Sequence, residues 1–186
     1  MYERENILRI FKETKEAVAR DDSATIRNLS NQTNNSAALT NDPDNIAAAV
    51  VVYALSKILE RPGYRDMPGW KKFYGIYLST IDKIIDAVKK GDDDSYHGEI
   101  ATIRKAIDGI SGKLKQYIQD VFRKASINKA SKLYEHGISM ETTAKLLGIT
   151  LFELAEYAGQ SEYVETTETK AFDVKQRIKL AMEMFE

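Results

Sequence analysis

The stretch Asp42 to Arg61 reads DPDNIAAAVVVYALSKILER, and its reading decides the fold. Asp42, Pro43 and Asp44 form a helix start: the aspartate offers an N-cap acceptor, proline suits the first helical position, and acid in the first turn faces the positive end of the helix dipole. Taken alone, Ala47 to Val52 would suit a buried strand. The cap on one side and the polar end Ser56-Lys57 on the other favour a helix, which Pro62-Gly63 terminates. From Ile46 to Leu55 that helix is apolar on every side. A helix with no polar face must be surrounded, so this segment is expected at the centre of a helical bundle.

The flanking sequence agrees. All three prolines, Pro43, Pro62 and Pro68, lie in one stretch, and no segment alternates apolar and polar residues as a half-buried strand does, which predicts an all-α fold. A first helix is expected from Tyr2 to Arg20, with Ile7, Ile10, Phe11, Thr14 and Val18 at helical spacing. Asp21-Asp22-Ser23 then stops it and caps a short second helix around Ile26 and Leu29. Six asparagines fall between Asn28 and Asn45. Their side chains compete for backbone hydrogen bonds, so 28–45 is expected to be a loop with one short turn at Ala37 to Leu39.

Beyond Trp70 the apolar positions Trp70, Tyr74, Tyr77, Ile81, Ile84 and Val88 keep a heptad-like beat. Past Gly91 the beat returns through Tyr96, Ile100, Ile103, Ile107, Ile110, Leu114, Tyr117 and Val121. The short connection Gly91-Asp92-Asp93-Asp94-Ser95 makes these two long helices antiparallel neighbours, with a kink in the second at Gly109 and Gly112. The expected organisation is a helical bundle over 1–125, a small module over 126–160 and an amphipathic helix over 161–186, its seam formed by Ala171, Val174, Ile178, Ala181 and Phe185. Wide apolar seams of this kind imply a homodimer.

Composition narrows the function. Without cysteine there is no disulfide, thiolate nucleophile or thiolate-bound metal, which fits a reducing compartment, and the absence of a signal peptide or membrane span points to a cytoplasmic protein. The 27 Lys and Arg balance 28 Asp and Glu, so any nucleic-acid contact must come from a local patch. No P-loop, dinucleotide fingerprint, nucleophile elbow or Glu-x-x-His pair is present, so neither an enzyme nor a cofactor is expected. His97 and His136 lack a partner at helical spacing, and Asp92-Asp93-Asp94 lacks the rest of a calcium loop, so no metal is expected either.

The segment INKASKLYEHGISMETTAKLLGITLFELAEYAG, Ile127 to Gly159, divides into a helix Lys129–His136, a stop at Gly137, a helix from a Ser139 cap to Leu147, a turn Gly148-Ile149-Thr150, and a helix Leu151–Ala158. Ala144 is small where two helices would cross, Gly148 can adopt positive φ, and Ile149, Leu154 and Tyr157 would lock the last helix in place. The segment resembles a helix-turn-helix unit and is similar to those of prokaryotic transcription regulators and antitoxin-like proteins. That resemblance implies contact with DNA through Thr150, Leu151, Phe152 and Lys145. The positions matching the groove-facing residues include Leu151, Phe152, Glu153 and Glu156 but no Arg, Lys, Asn or Gln. Guanine and adenine therefore lack their usual bidentate readers. Two readings follow: a non-catalytic, DNA-associated regulator, or a helical interaction module in which Leu151 and Phe152 dock a protein partner.

A second candidate surface is basic. Ser56 to Lys90 holds eight Lys and Arg against four acids, and Arg61, Arg65, Lys71 and Lys72 interleave with Tyr64, Trp70, Phe73 and Tyr74. Such a mixture can grip phosphates and stack bases, or it can be a wet helix face over aromatic core anchors. Ile100 to Ala125 holds six against two, but Arg104, Lys105, Lys113, Lys115 and Arg123 form no stripe.

Overall fold

In the computed structural model Pro43–Leu59 is a helix, and its start is built as the sequence requires, with the Asp42 carboxylate accepting a hydrogen bond from the Asp44 amide at 3.0 Å. The structure describes residues 1–40, 42–134, 141, 144 and 150–152, without the side chains of 34–40 and 130–134. Among the described residues the helices are, in chain order, α1 (Arg4–Ala19), α2 (Ser23–Thr40), α3 (Pro43–Leu59), α4 (Trp70–Lys90), α5 (Asp93–Asp108) and α6 (Gly112–Tyr134), with one 3-10 turn at Pro62–Tyr64. Among the described residues there is no strand. The fold is an all-α bundle. Among the same residues no helix is long and apolar enough to cross a membrane.

Fourteen of the 17 residues of α3 are buried, so the helix with no polar face sits at the centre. Three neighbours add side-chain hydrogen bonds to its carbonyls. Ser30 Oγ of α2 donates to Ala49 at 2.7 Å, Tyr77 Oη of α4 to Val51 at 2.6 Å, and Tyr96 Oη of α5 to Asp44 at 2.8 Å. Burial pushes both phenols well above their usual range, which keeps them protonated and donating. The side chains Ile7, Ile10, Phe11, Ile81, Ile84, Ile103 and Ile118, all nearly inaccessible, complete a single core around α3.

Successive helices run in opposite directions. The starts of α1, α3 and α5 share one end, where Arg4 meets Asp93 at 2.9 Å and the Tyr2 amide donates to Asp42 at 2.8 Å. The starts of α2, α4 and α6 share the other, where Arg65 meets Asp21 at 2.6 Å and Tyr64 stacks on Tyr117.

Two expectations are corrected. Residues 28–40 are not a loop, because α2 continues through them to Thr40. Ile26, Leu29, Ser30 and Thr33 are all buried, and they recur at the spacing of one helix face. Their polar members are paired: Ser30 with α3, and Thr33 Oγ1 with its own helix at the Leu29 carbonyl, 3.1 Å away. Packing against the apolar α3 outweighs the weak helix propensity of asparagine, a fraction of about 1 kcal/mol per residue.

The second correction concerns the long helix expected from Tyr96 to Val121, which is broken rather than kinked. α5 ends at Asp108, and Gly112 opens α6 in the left-handed region at φ 65°. The break resets the helical phase. Buried positions on α6 are Leu114, Ile118, Val121 and Ala125, and Tyr117, expected on the seam, is 41% exposed. α6 then runs past Ser126, near which the module boundary was expected, to Tyr134. Ser126 and Lys129 are buried, and Lys129 Nζ donates to Asn31 of α2 at 2.8 Å and lies 4.6 Å from the Tyr53 ring centroid of α3. Most of the expected module, including His136 and Gly148, and all of the helix over 161–186 lie outside the described residues.

Candidate nucleic-acid interface

The basic surface is built where α3 ends. Pro62 and Gly63 turn the chain into the 3-10 turn, and Arg61, just before it, donates from Nη1 to the Tyr64 hydroxyl at 2.9 Å with its guanidinium 5.7 Å from the ring centroid. Tyr64 is itself buried and stacks on Tyr117 of α6, with centroids 5.5 Å apart and planes 13° from parallel. This stack fixes the end of α3 against the first turns of α6. Lys113 lies one turn before Tyr117 on the same face of that helix.

The start of α4 meets the same region. Gly69 has φ 89°, and a Cβ built on it would lie 3.5 Å from Ile110, the residue between α5 and α6. α4 has no side-chain cap, and neither it nor α6 carries acid in its first turn. Lysines occupy those positions instead: Lys71 and Lys72 on α4, Lys113 and Lys115 on α6. Cations there oppose the helix dipole, so the positive field of two helix starts adds to that of four ammonium groups.

The four predicted patch residues divide. Arg61 is exposed and bound to a neutral hydroxyl, and Lys71 and Lys72 are exposed with no acidic partner among the described residues. Arg65 is neutralised by Asp21, a contact that ties the α1–α2 turn to the chain before α4. The interleaved aromatics are core anchors: Trp70 and Phe73 are buried, and Tyr74 stacks on Trp70 at 5.1 Å. Lys105 and Lys113 are also exposed, while Lys115 donates to the Asp108 carbonyl at 3.0 Å. On the acidic side, Glu60 is held by Lys57 and Arg27, which leaves Asp66 and Asp108 as the carboxylates of the region without a cationic partner among the described residues. The contributions of Lys113 and of Tyr117 were not visible in the sequence, because both depend on the Gly112 break and on a contact between residues 64 and 117.

Of the four residues assigned by the helix-turn-helix resemblance, Thr150, Leu151 and Phe152 are exposed, the last two by 47% and 76%, and Lys145 lies outside the described residues. His97 does not stand alone. Its Nε2 lies 2.6 Å from Asp44 Oδ1, a pairing of α5 with α3 across 53 positions that no local spacing could reveal. Asn31, one of the six asparagines expected in a loop, accepts from Lys129. Among the described residues no group of three or more His, Cys, Asp or Glu could hold a metal ion. No family model, curated protein or solved structure matches the chain.

Proposed function

We propose that this chain is a non-catalytic, DNA-associated protein whose basic bundle end meets the phosphate backbone. One observation carries the reading: the starts of α4 and α6 meet through Gly69 and Ile110 and carry lysine in place of acid, while the chain as a whole has a net charge of −1. Opposing the dipole costs stability at both helices, and a polyanion across the two starts would return it. Arg61, Lys71, Lys72 and Lys113 supply point charges to phosphate without a base-reading side chain, so the expected binding is sequence-tolerant and salt-dependent.

Titrating a labelled DNA at rising salt tests this. Affinity is expected to fall with a log–log slope on the order of −3, as a few displaced counterions require. The double variant Lys71→Glu/Lys113→Glu should lose at least roughly tenfold at low salt. Wild-type protein that retards no nucleic acid at low ionic strength would remove the reading.

A second reading rests on a different surface. Leu151 and Phe152 present two large apolar side chains to solvent, which supports docking of a protein partner or a second copy by the helix-turn-helix-like segment. Phe152→Asp in the full chain, compared with wild type by light scattering and co-purification, decides it. Loss of a partner or of the dimer supports docking, and an unchanged assembly with an intact fold rejects it.

A further inference from the structure

Among the described residues, the stack at the basic end leaves one of its two rings substantially exposed. Tyr64 is 8% exposed, with one side on Tyr117 and the Arg61 guanidinium beside its ring. Tyr117 contacts Tyr64 through one face and is 41% exposed. Among the described aromatics of this end it is the most exposed: Trp70 and Phe73 are 6% and 2% exposed, and Tyr74 is partly buried against Trp70. Tyr117 also has its rotation limited by the stack, so a flat partner meeting its outer face finds a pre-set platform. Lys113 lies a turn away from Tyr117 on α6, and Arg61 is held at the other ring of the stack, Tyr64.

We infer that Tyr117 is a base-stacking platform and that the nucleic acid met by this end is single-stranded. The inference rests on the nucleic-acid reading above and deepens it by naming the class of strand. Every base has a π face to lay on a tyrosine, but in a duplex those faces are covered by neighbouring base pairs, and only an unpaired base can reach one. Lys113, one turn from Tyr117 on the same helix face, is placed for the phosphate of a base stacked there, and Arg61 at Tyr64 is placed for a neighbouring phosphate, the combination of charge and ring that single-strand grooves use.

The test uses the full chain with oligothymidylate, an abasic oligomer of equal length that keeps the phosphates, and a duplex. Wild type is expected to bind oligothymidylate roughly tenfold more tightly than the abasic oligomer, because one stacked base contributes about that factor. Tyr117→Ala and Tyr117→Leu should both reduce oligothymidylate binding to the abasic level while leaving the abasic and duplex affinities unchanged. Tyr117→Phe should retain the wild-type value. The leucine variant keeps apolar cover on Tyr64, so a fold defect confined to the alanine variant is recognised as such. Equal wild-type binding to oligothymidylate and the abasic oligomer, or full binding by the leucine variant, overturns the platform and leaves the phosphate reading standing. Failure of wild type to bind any of the three overturns both.

Discussion

The two ends of this bundle are built from the same parts with opposite chemistry. At the end where α1, α3 and α5 begin, Asp42 and Asp92 accept from the amides of Asp44 and Ser95, and Asp93 binds Arg4. At the end where α4 and α6 begin, glycines at φ 89° and 65° stand at the starts and lysines follow them. The chain has the means to cap helices at this end too, since Asp22 accepts from the Thr25 amide at 2.9 Å to start α2. Among the described helices, α4 and α6 are the ones whose first turns hold lysine and no acid. The contrast separates an end arranged for stability from one where stability is given up locally, and such losses collect at functional surfaces.

The largest effect expected from this contrast is at Asp42. The residue is 1% exposed and its carboxylate serves three amides, those of Asp44, Tyr2 and Glu3, so it joins the start of α1 to that of α3. Asp42→Ala leaves all three donors without it and should cost about 3 kcal/mol, read as a fall in the urea midpoint with unchanged slope. Asp42→Asn, which keeps one acceptor oxygen, should lie between. A loss below about 1 kcal/mol for the alanine variant would mean that this end is not secured by its caps.

Much of this frame was legible in the sequence. The DPD start, the apolar run to Leu55 and the acidic connection at 91–95 each carry a local signal, because capping and burial follow from neighbours three or four residues apart. The asparagine-rich face of α2 was not legible: whether Ser30 and Thr33 favour loop or helix depends on whether an apolar helix covers them, and α3 does. The basic end was legible only as composition. Sequence places Arg61 near Lys71, but the addition of Lys113 and Tyr117, and the removal of Arg65 by Asp21, need the packing of α6 and of the α1–α2 turn.

A second prediction concerns a flaw inside the well-capped end. Asn45, wholly buried in the first turn of α3, has no hydrogen-bond partner at either side-chain amide atom. Leucine has nearly the same branched shape, so Asn45→Leu should raise stability by about 1 kcal/mol in denaturant melts. A loss instead would mean that the site cannot take the added methyl volume and that the polar atoms are not the governing cost.

Acid should not distinguish the ends, which makes it a useful control. Hydrogen bonds from Thr25 to Asp22, and from Ser95 to Asp92, hold each carboxyl below its ordinary range. A depressed folded value means that the stabilisation is complete above the unfolded value and disappears as pH falls through the folded one. Melting temperatures of Asp22→Ala and Asp92→Ala should therefore approach that of the parent below the usual carboxylate range and separate from it above. A gap that persists unchanged at low pH would assign these aspartates a role other than capping.

The smallest expected effect has the opposite sign and bears most directly on why the ends differ. Lys71→Glu and Lys113→Glu each replace a cation at a positive dipole end with an anion, and each should stabilise the free protein by about 0.5 kcal/mol. The same substitutions are expected to weaken binding of nucleic acid. If the lysines were ordinary solvated residues, stability would rise and binding would be untouched. If both stability and binding fell, the lysines would be structural, and the opposed dipoles would need another cause. Only a gain in one property with a loss in the other ties the missing acids at α4 and α6 to the surface those helix starts form.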